Sequence, residues 1–286
     1  MTRAFVCLFL VLSFAPLSAW KNPRKSDTLN TPVFGTHDWI AFKGFVLAGR
    51  PAFIKQNLNR FFIGTEAPDN GFKPANAEGG YDDARLCHCI LFDEDGNVTR
   101  DRAELRVRQE FDKALGALAD GKPALAAFYA GALAHYMGDL GQFYHIMGSE
   151  SHWGSEDPKR HSAYEVAVEK TIRFQTRTST LFESFISPIA VGGDTPEEIA
   201  RTVALRTERG SGSRTPGVMD KRFGELIHGG VSLTPENWDN GFRTQTGQNI
   251  NVAANGIAKL LRMIIEEDDL NHTLTGSECP RCDRTS

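Results

Sequence analysis

Residues 135–145 read His135-Tyr-Met-Gly-Asp139-Leu-Gly-Gln-Phe-Tyr-His145 and lie in an apolar segment that begins at Pro123. Proline suits the first turn of a helix, where its missing N–H is not needed. The pattern predicts a helix from Pro123 through Ala124 to about Met147. His135 and Asp139 stand at i and i+4, so both side chains leave one helix face. Ligands at this spacing grip one metal ion at little conformational cost, because the helix has already fixed them. His161-Ser-Ala-Tyr-Glu165 repeats the arrangement with a carboxylate in second place. Imidazole nitrogen and carboxylate oxygen both ligate zinc at about 2.0–2.2 Å, so the two pairs, with His145 between them, suit that ion.

Outward from this segment, helical patterns dominate. Asp101 with Glu104 resembles a capping box, and Leu105, Phe111, Leu115 and Leu118 follow at helical spacing as far as Gly121. Arg160 to Phe185 forms another long pattern. Thr195-Pro-Glu-Glu198 caps a helix toward Arg209, ended by the Gly/Ser run at 210–213. Ile250, Ala253, Ile257, Leu260, Leu261 and Ile264 form one stripe between Asn249 and Glu267. A further helix starts near Thr36, whose hydroxyl is a candidate cap. The Gly-rich stretches 64–80, 210–217 and 229–247 read as loops. Alternating strand patterns are few and no repeat occurs. The expectation is an all-α, single multi-helix domain over residues 20–270 with a cysteine-bearing tail at 271–286.

The chain has 286 residues, 41% hydrophobic and 24% charged, with a formal charge of −4. Those values exclude whole-chain disorder, collagen and coiled coil. The slight acidity argues against a nucleic-acid binder that neutralises phosphates, and against a polybasic membrane binder.

Residues 1–19, MTRAFVCLFLVLSFAPLSA, have a basic start, an apolar run too short to span a bilayer, and a small-residue end. They read as a secretory signal cleaved after Ala19, which makes the chain secreted or extracytoplasmic. Cys87, Cys89, Cys279 and Cys282 then remain. An even number in an exported protein favours disulfides, with three possible connectivities. Cys87-His-Cys89 with Cys279-Pro-Arg-Cys282 also has the form of a thiolate zinc site, which an oxidising compartment disfavours.

The chain holds eight histidines. His37, in Gly35-Thr-His-Asp-Trp-Ile-Ala41, and His88, between Cys87 and Cys89, are further metal candidates. Asp69 follows a proline in a Gly-bounded segment, where aspartate is commonly a turn residue. His152, His228 and His272 read as ordinary core or surface histidines. Asp38, Asp82 and Asp93 read as solvated or capping acids.

Together these residues resemble the zinc-dependent phospholipase C family, whose fold also serves single-strand-specific nucleases. The family's framework is an N-terminal Trp exposed by signal cleavage, then His, Asp, His, then His-x3-Asp-x5-His, then His-x3-Glu or His-x3-Asp. Trp20, His37, Asp69, His88, His135, Asp139, His145, His161 and Glu165 fill it in order over about half the chain.

The resemblance implies a cleft holding about three zinc ions. Asp69, His88, His135 and Asp139 would hold one. Asp139 would bridge to a second, completed by His37 and by the α-amino and carbonyl groups of Trp20. His145, His161 and Glu165 would hold the third. It further implies that water activated by zinc attacks phosphorus, with Asp69 as the catalytic base. The substrate class would be glycerophospholipid or another phosphodiester, met through transient contact with a membrane surface by a monomer. The segment before His145 departs from the family: no Pro stands two residues before it and no Asn follows. The His-Gln-Pro-Leu-His of the nuclease branch is also absent. Phe72, Tyr81, Phe92 and Trp153 are candidates for a cationic headgroup pocket, or simply core. A nuclease on the same fold, a phospholipase D on glycosyl-inositol lipids and a non-catalytic zinc-stabilised binding domain are the alternatives.

Overall fold

A computed structural model describes residues 35–70, 88–147, 153–154, 157–178, 181–210, 215–229 and 237–276. The signal, Trp20, Phe72, Tyr81, Cys87, Cys279 and Cys282 lie outside the described residues.

The described chain is all-α apart from one hairpin. α1 spans Thr36–Leu47, α2 Ala52–Lys55 and α3 Leu58–Asn70. The hairpin follows, with β1 at Ile90–Phe92 antiparallel to β2 at Val98–Arg102. Then come α4 (Ala103–Ala119), α5 (Pro123–Leu140), a 3-10 turn (Phe143–His145), α6 (Pro158–Thr178) and a second 3-10 turn (Glu183–Phe185). α7 (Pro196–Arg209), α8 (Pro216–His228) and α9 (Asn240–Gly276) complete the order.

α5 is the axis of the molecule. From Ala126 to Leu140 every residue is buried, because its sequence is apolar or small on all faces. It packs against α3, α4, α1 and α9. His135 and Asp139 thereby sit at the centre of the protein, where an unpaired charge would be costly.

The crossing of α3 over α5 depends on two glycines. A Cβ on Gly64 would lie 2.0 Å from the Phe128 carbonyl oxygen, and one on Gly131 would lie 2.0 Å from that of Phe61. Only residues without a Cβ permit this approach. It brings the last turn of α3 against the His135–Asp139 face of α5.

Several sequence expectations shift. α5 stops at Leu140, so His145 stands on a separate 3-10 turn. A Cβ on Gly141 would lie 2.8 Å from that of Ala253 on α9, so tertiary packing needs glycine at the break. α6 ends at Thr178 and Phe185 belongs to the second 3-10 turn. α4 starts at Ala103 and Asp101 lies in β2, so the expected cap at Asp101 is not formed. Leu105 faces solvent, while Val107, Phe111, Ala114 and Ala117 form the buried stripe. α1 is capped by Asp38, which accepts from the Gly35 N–H at 3.0 Å, and not by the Thr36 hydroxyl. α9 begins at Asn240, inside a stretch read as loop, and α8 escaped the sequence reading altogether.

The cap at Thr195 forms as expected: its Oγ1 accepts from the Glu198 N–H at 3.3 Å while Glu198 Oε2 accepts from the Thr195 N–H at 3.2 Å. After the second 3-10 turn the chain runs extended along α9, tied by side chains one turn apart. Asn251 Oδ1 accepts from the Ser187 N–H, and Asn255 Oδ1 from the Ile189 N–H, both at 3.0 Å. Asn255 Nδ2 donates to the Ser187 carbonyl at 2.9 Å, and Lys259 Nζ donates to the carbonyls of Val191 and Gly193.

Candidate metal centre

Six elements converge on the buried face of α5. His37 comes from the first turn of α1, Asp69 from the last turn of α3, and His88 from the approach to β1. His135 and Asp139 come from α5, His145 from the 3-10 turn, and His161 and Glu165 from α6. The reading of Asp69 as a loop residue is thus corrected: Pro68 is accommodated inside α3, and Asp69 is helical.

Among the described residues three groups of donor atoms form, each with its atoms within 4.8 Å of one another: His37, His135 and Asp139; Asp69, His88 and His135; His145, His161 and Glu165. Asp139 is the hub. Its Oδ2 lies 2.7 Å from His88 Nδ1 and 3.2 Å from His135 Nε2. Its Oδ1 lies 3.3 Å from His37 Nε2 and 3.7 Å from His145 Nε2. Asp69 Oδ1 is 3.6 Å from His135 Nε2, and the His37 and His135 rings stack with centroids 3.9 Å apart.

The rings are oriented from behind. His135 Nδ1 donates to the Thr65 carbonyl at 2.7 Å, one turn before Asp69. His145 Nδ1 reaches the His88 carbonyl at 3.1 Å and Cys89 Sγ at 3.5 Å. A histidine that donates through Nδ1 turns its Nε2 lone pair inward, as a metal ligand must. Asp38, read as solvated or capping, is buried and accepts from the Thr65 hydroxyl as well as from Gly35.

Electrostatics follow from this crowding. Burial opposes ionisation of Asp139, yet the surrounding histidines, His135 and His145 foremost, hold its carboxyl well below the ordinary value. Burial likewise opposes charge on His135, but Asp139 and Asp69 keep it above its usual pKa. Asp139 and Cys89 raise His145 well above the usual value against the same burial. His37 is lowered to about 4 by burial and the neighbouring His135. Burial pushes Asp69 up to about 6. His161 and His145 hold Glu165 down against its own burial.

The donor set fits a cation. Buried atoms without a hydrogen-bond partner include both nitrogens of His37, His88 Nε2, Asp139 Oδ1, His145 Nε2 and Glu165 Oε2. Each such atom ordinarily costs about 1–3 kcal/mol, so their concentration among the residues of the three donor groups calls for positive charge nearby. Gln142 sharpens the point. Its Oε1 accepts from the Tyr144 N–H at 2.8 Å, which aims its NH2 at His161 Nε2 (2.8 Å) and Glu165 Oε1 (3.2 Å). His161 Nε2 also lies 2.9 Å from Glu165 Oε1. A protonated Nε2 would oppose the amide donor and a bare one would oppose the carboxylate. A cation between His161 and Glu165 would take the Nε2 lone pair, remove the conflict with the carboxylate and leave the Gln142 amide to donate to Glu165 Oε1.

The other aromatic candidates resolve differently. Phe92 is core, at 1% exposure. Trp153 donates from Nε1 to Glu208 Oε1 at 3.2 Å and is half-buried against α7. His228 is exposed at the end of α8. Asp93 accepts backbone N–H bonds from Asp95 and Asn97 and so closes the hairpin turn. Thr65, Gln142 and Tyr144 went unremarked in the sequence, because neutral side chains that support ligands carry no spacing signature.

No curated protein matches the chain. Among solved structures it resembles the alpha-toxin of Clostridium perfringens avian strain SWCP, at 17% identity and TM-score 0.49 over 86% of this chain and 65% of that one. It also resembles the alpha toxin of Clostridium absonum, at 18% identity and TM-score 0.48 over 82% of this chain and 65% of that one. The chain therefore spans 65% of the length of either toxin. The profile described as zinc dependent phospholipase C matches residues 36–202, which run from the first residue of α1 into α7 and contain all three donor groups. Since that match takes in more than half of the sequence, the chain belongs to the zinc-dependent phospholipase C family.

Proposed function

We propose that the protein is a secreted zinc-dependent phosphodiester hydrolase, a phospholipase C acting on glycerophospholipids. The observation that carries this reading is that two donor groups share His135, while Asp139 lies within 4 Å of histidines from all three groups, on one buried face. Family membership supports the same chemistry. Asp69, His88, His135 and Asp139 would hold one zinc ion; His37, Asp139 and the amino and carbonyl groups of Trp20 a second; His145, His161 and Glu165 a third.

Bound zinc would supply a water acidified to near neutral pH and offset the charge that builds on phosphorus. The chain's own residues do the rest. Asp69 takes the proton of the attacking water at its carboxylate, which stands at the edge of the donor cluster, 3.6 Å from His135 Nε2. Asp139 keeps four histidine rings facing one space. Thr65 and the His88 carbonyl keep the rings of His135 and His145 turned inward.

In this reading residues 1–19 are a signal peptide, 20–270 the hydrolase domain and 271–286 a cysteine-bearing tail whose disulfides would form outside the cell. The enzyme acts as a monomer in transient contact with a membrane surface. The test is incubation of protein starting at Trp20 with phosphatidylcholine vesicles and with single-stranded DNA, with and without chelator. Chelator-sensitive release of phosphocholine is expected. Release of choline would mean phospholipase D activity, cleavage of the DNA a nuclease, and neither a zinc-stabilised binding domain.

A further inference from the structure

The family match ends at residue 202, so nothing in it gives α8 a part. Yet α8 reaches the third donor group through one carboxylate. Asp220 Oδ1 accepts from the Tyr144 O–H at 2.8 Å, and Asp220 Oδ2 pairs with Arg160 Nη2 at 2.8 Å. Tyr144 immediately precedes His145, and Arg160 immediately precedes His161. The Tyr144 ring also stacks on the His161 ring, with centroids 4.9 Å apart and planes 15° from parallel. Asp220 is 8% exposed, and its partner Tyr144 is fully buried. One turn along α8, Gly224 leaves the guanidinium its room: a Cβ there would lie 3.1 Å from Arg160 Nη1.

We propose that Asp220 is a positioning residue for the group of His145, His161 and Glu165. It ties the 3-10 turn that carries His145 to the helix that carries His161, and it fixes the tyrosine ring on which His161 rests. Two separate elements supply these ligands, and one carboxylate grips a neighbour of each. A carboxylate with two acceptor oxygens suits the task, because hydroxyl and guanidinium can each take one without competing. The function assigned to the C-terminal part of the chain is thus to set the geometry of a site built by the part before it. This inference rests on the metal reading of the third group given above.

The test uses the full secreted chain with Asp220→Ala, Asp220→Asn and Tyr144→Phe. Zinc affinities are read by competition with a chromophoric chelator, and the His161 ring is followed by nuclear magnetic resonance in metal-free protein. Asp220→Ala should weaken one ion by about tenfold, the scale for lost support behind a ligand, and leave the others unchanged. Asp220→Asn keeps an acceptor for Tyr144 and should recover part of that loss. Tyr144→Phe should add little to Asp220→Ala, since both remove the same bond. The His161 resonance should move in Asp220→Ala, because the stacked ring is released. Equal weakening of every ion, or none, would assign Asp220 a purely structural role and overturn the proposal. So would an unmoved His161 resonance. Wild-type protein that takes up no zinc would overturn the metal reading instead, and the His161 resonance would still decide whether Asp220 positions that ring.

Discussion

Gly64 on α3 and Gly131 on α5 touch back to back: a Cβ built on either lies within 3.0 Å of the Cα of the other. The contact sets the distance between the helix that carries Asp69 and the helix that carries His135 and Asp139. Alanine at either position would drive a methyl group onto a backbone carbonyl, which cannot rotate away. Gly131→Ala should therefore cost at least the 1–3 kcal/mol typical of overpacking, and should also weaken metal binding by displacing Asp69 from His135. Urea unfolding and zinc stoichiometry on the same preparation check both effects. Gly116, whose Cβ would meet nothing within 4 Å, is the control and should tolerate alanine.

Asp69 and Asp139 should separate chemistry from assembly. Asp69→Asn should keep most of the zinc and lower kcat by about 10²–10⁴, the range for a general base. Asp139→Asn should release zinc, because four histidine rings face that one carboxylate and an amide cannot balance the charge they gather. Elemental analysis beside rate measurement on the two variants decides it. A near-normal rate with full zinc in Asp69→Asn would show that the proton goes elsewhere.

Metal uptake should release protons. His135 and His145, both raised, hold protons that a cation must displace, whereas His37, at about 4, is already bare at neutral pH. Zinc affinity should rise with pH as the two rings are freed, which calorimetry in buffers of different ionisation enthalpy measures. Stability of the chelated protein follows the same groups. The raised histidines stabilise it below their unfolded value of about 6.5, and that contribution fades as pH climbs through their folded values. The depressed Asp139 and Glu165 stabilise it above about pH 4, and that contribution is lost as pH falls through their folded values. Zinc takes the place of the protons on the histidines, so the alkaline loss should vanish from the loaded protein.

The amino terminus offers an independent check. A free amine ligates only when no residue precedes it, so the proposed Trp20 ligand requires cleavage between Ala19 and Trp20. One extra residue before Trp20 should lower activity strongly with circular dichroism unchanged.

Asn255 on α9 bonds both the Ile189 N–H and the Ser187 carbonyl. Asn255→Ala should cost about 1–2 kcal/mol by leaving these groups unpaired, and should open the segment to protease. Limited proteolysis under native conditions would report the opening.

The sequence revealed the site more fully than the chain path. His135 with Asp139, and His161 with Glu165, were legible because the helix period alone brings each pair to one face. The buried stripe of α9 and the box at Thr195 were legible for the same local reason. Elements governed by distant partners were not. Pro68 suggested a loop, yet α3 runs on through it against α5. Phe143, Tyr144, Ile146 and Met147 continue an apolar pattern after Leu140, so Gly141 alone reads as a weak stop, and it is the approach of Ala253 that fixes the break there. The hairpin is too short to show an alternating pattern, and α8 lies between glycine-rich stretches that mask its start. Asp220 looks like any surface acid until Tyr144 and Arg160 are seen to meet it.

The row of Asn251, Asn255 and Lys259 gives the stretch from Ser187 to Gly193 something a lone extended strand lacks. An extended backbone without a partner strand is a template on which a second chain can lay its own amides. Here a helix answers those amides and carbonyls with side chains, at a spacing set by its own turns. A neighbouring polypeptide would find part of the strand's bonding capacity already taken, and would meet helical geometry where it needed another pleat. The protein thus shields an open segment against self-association without adding a strand to cover it.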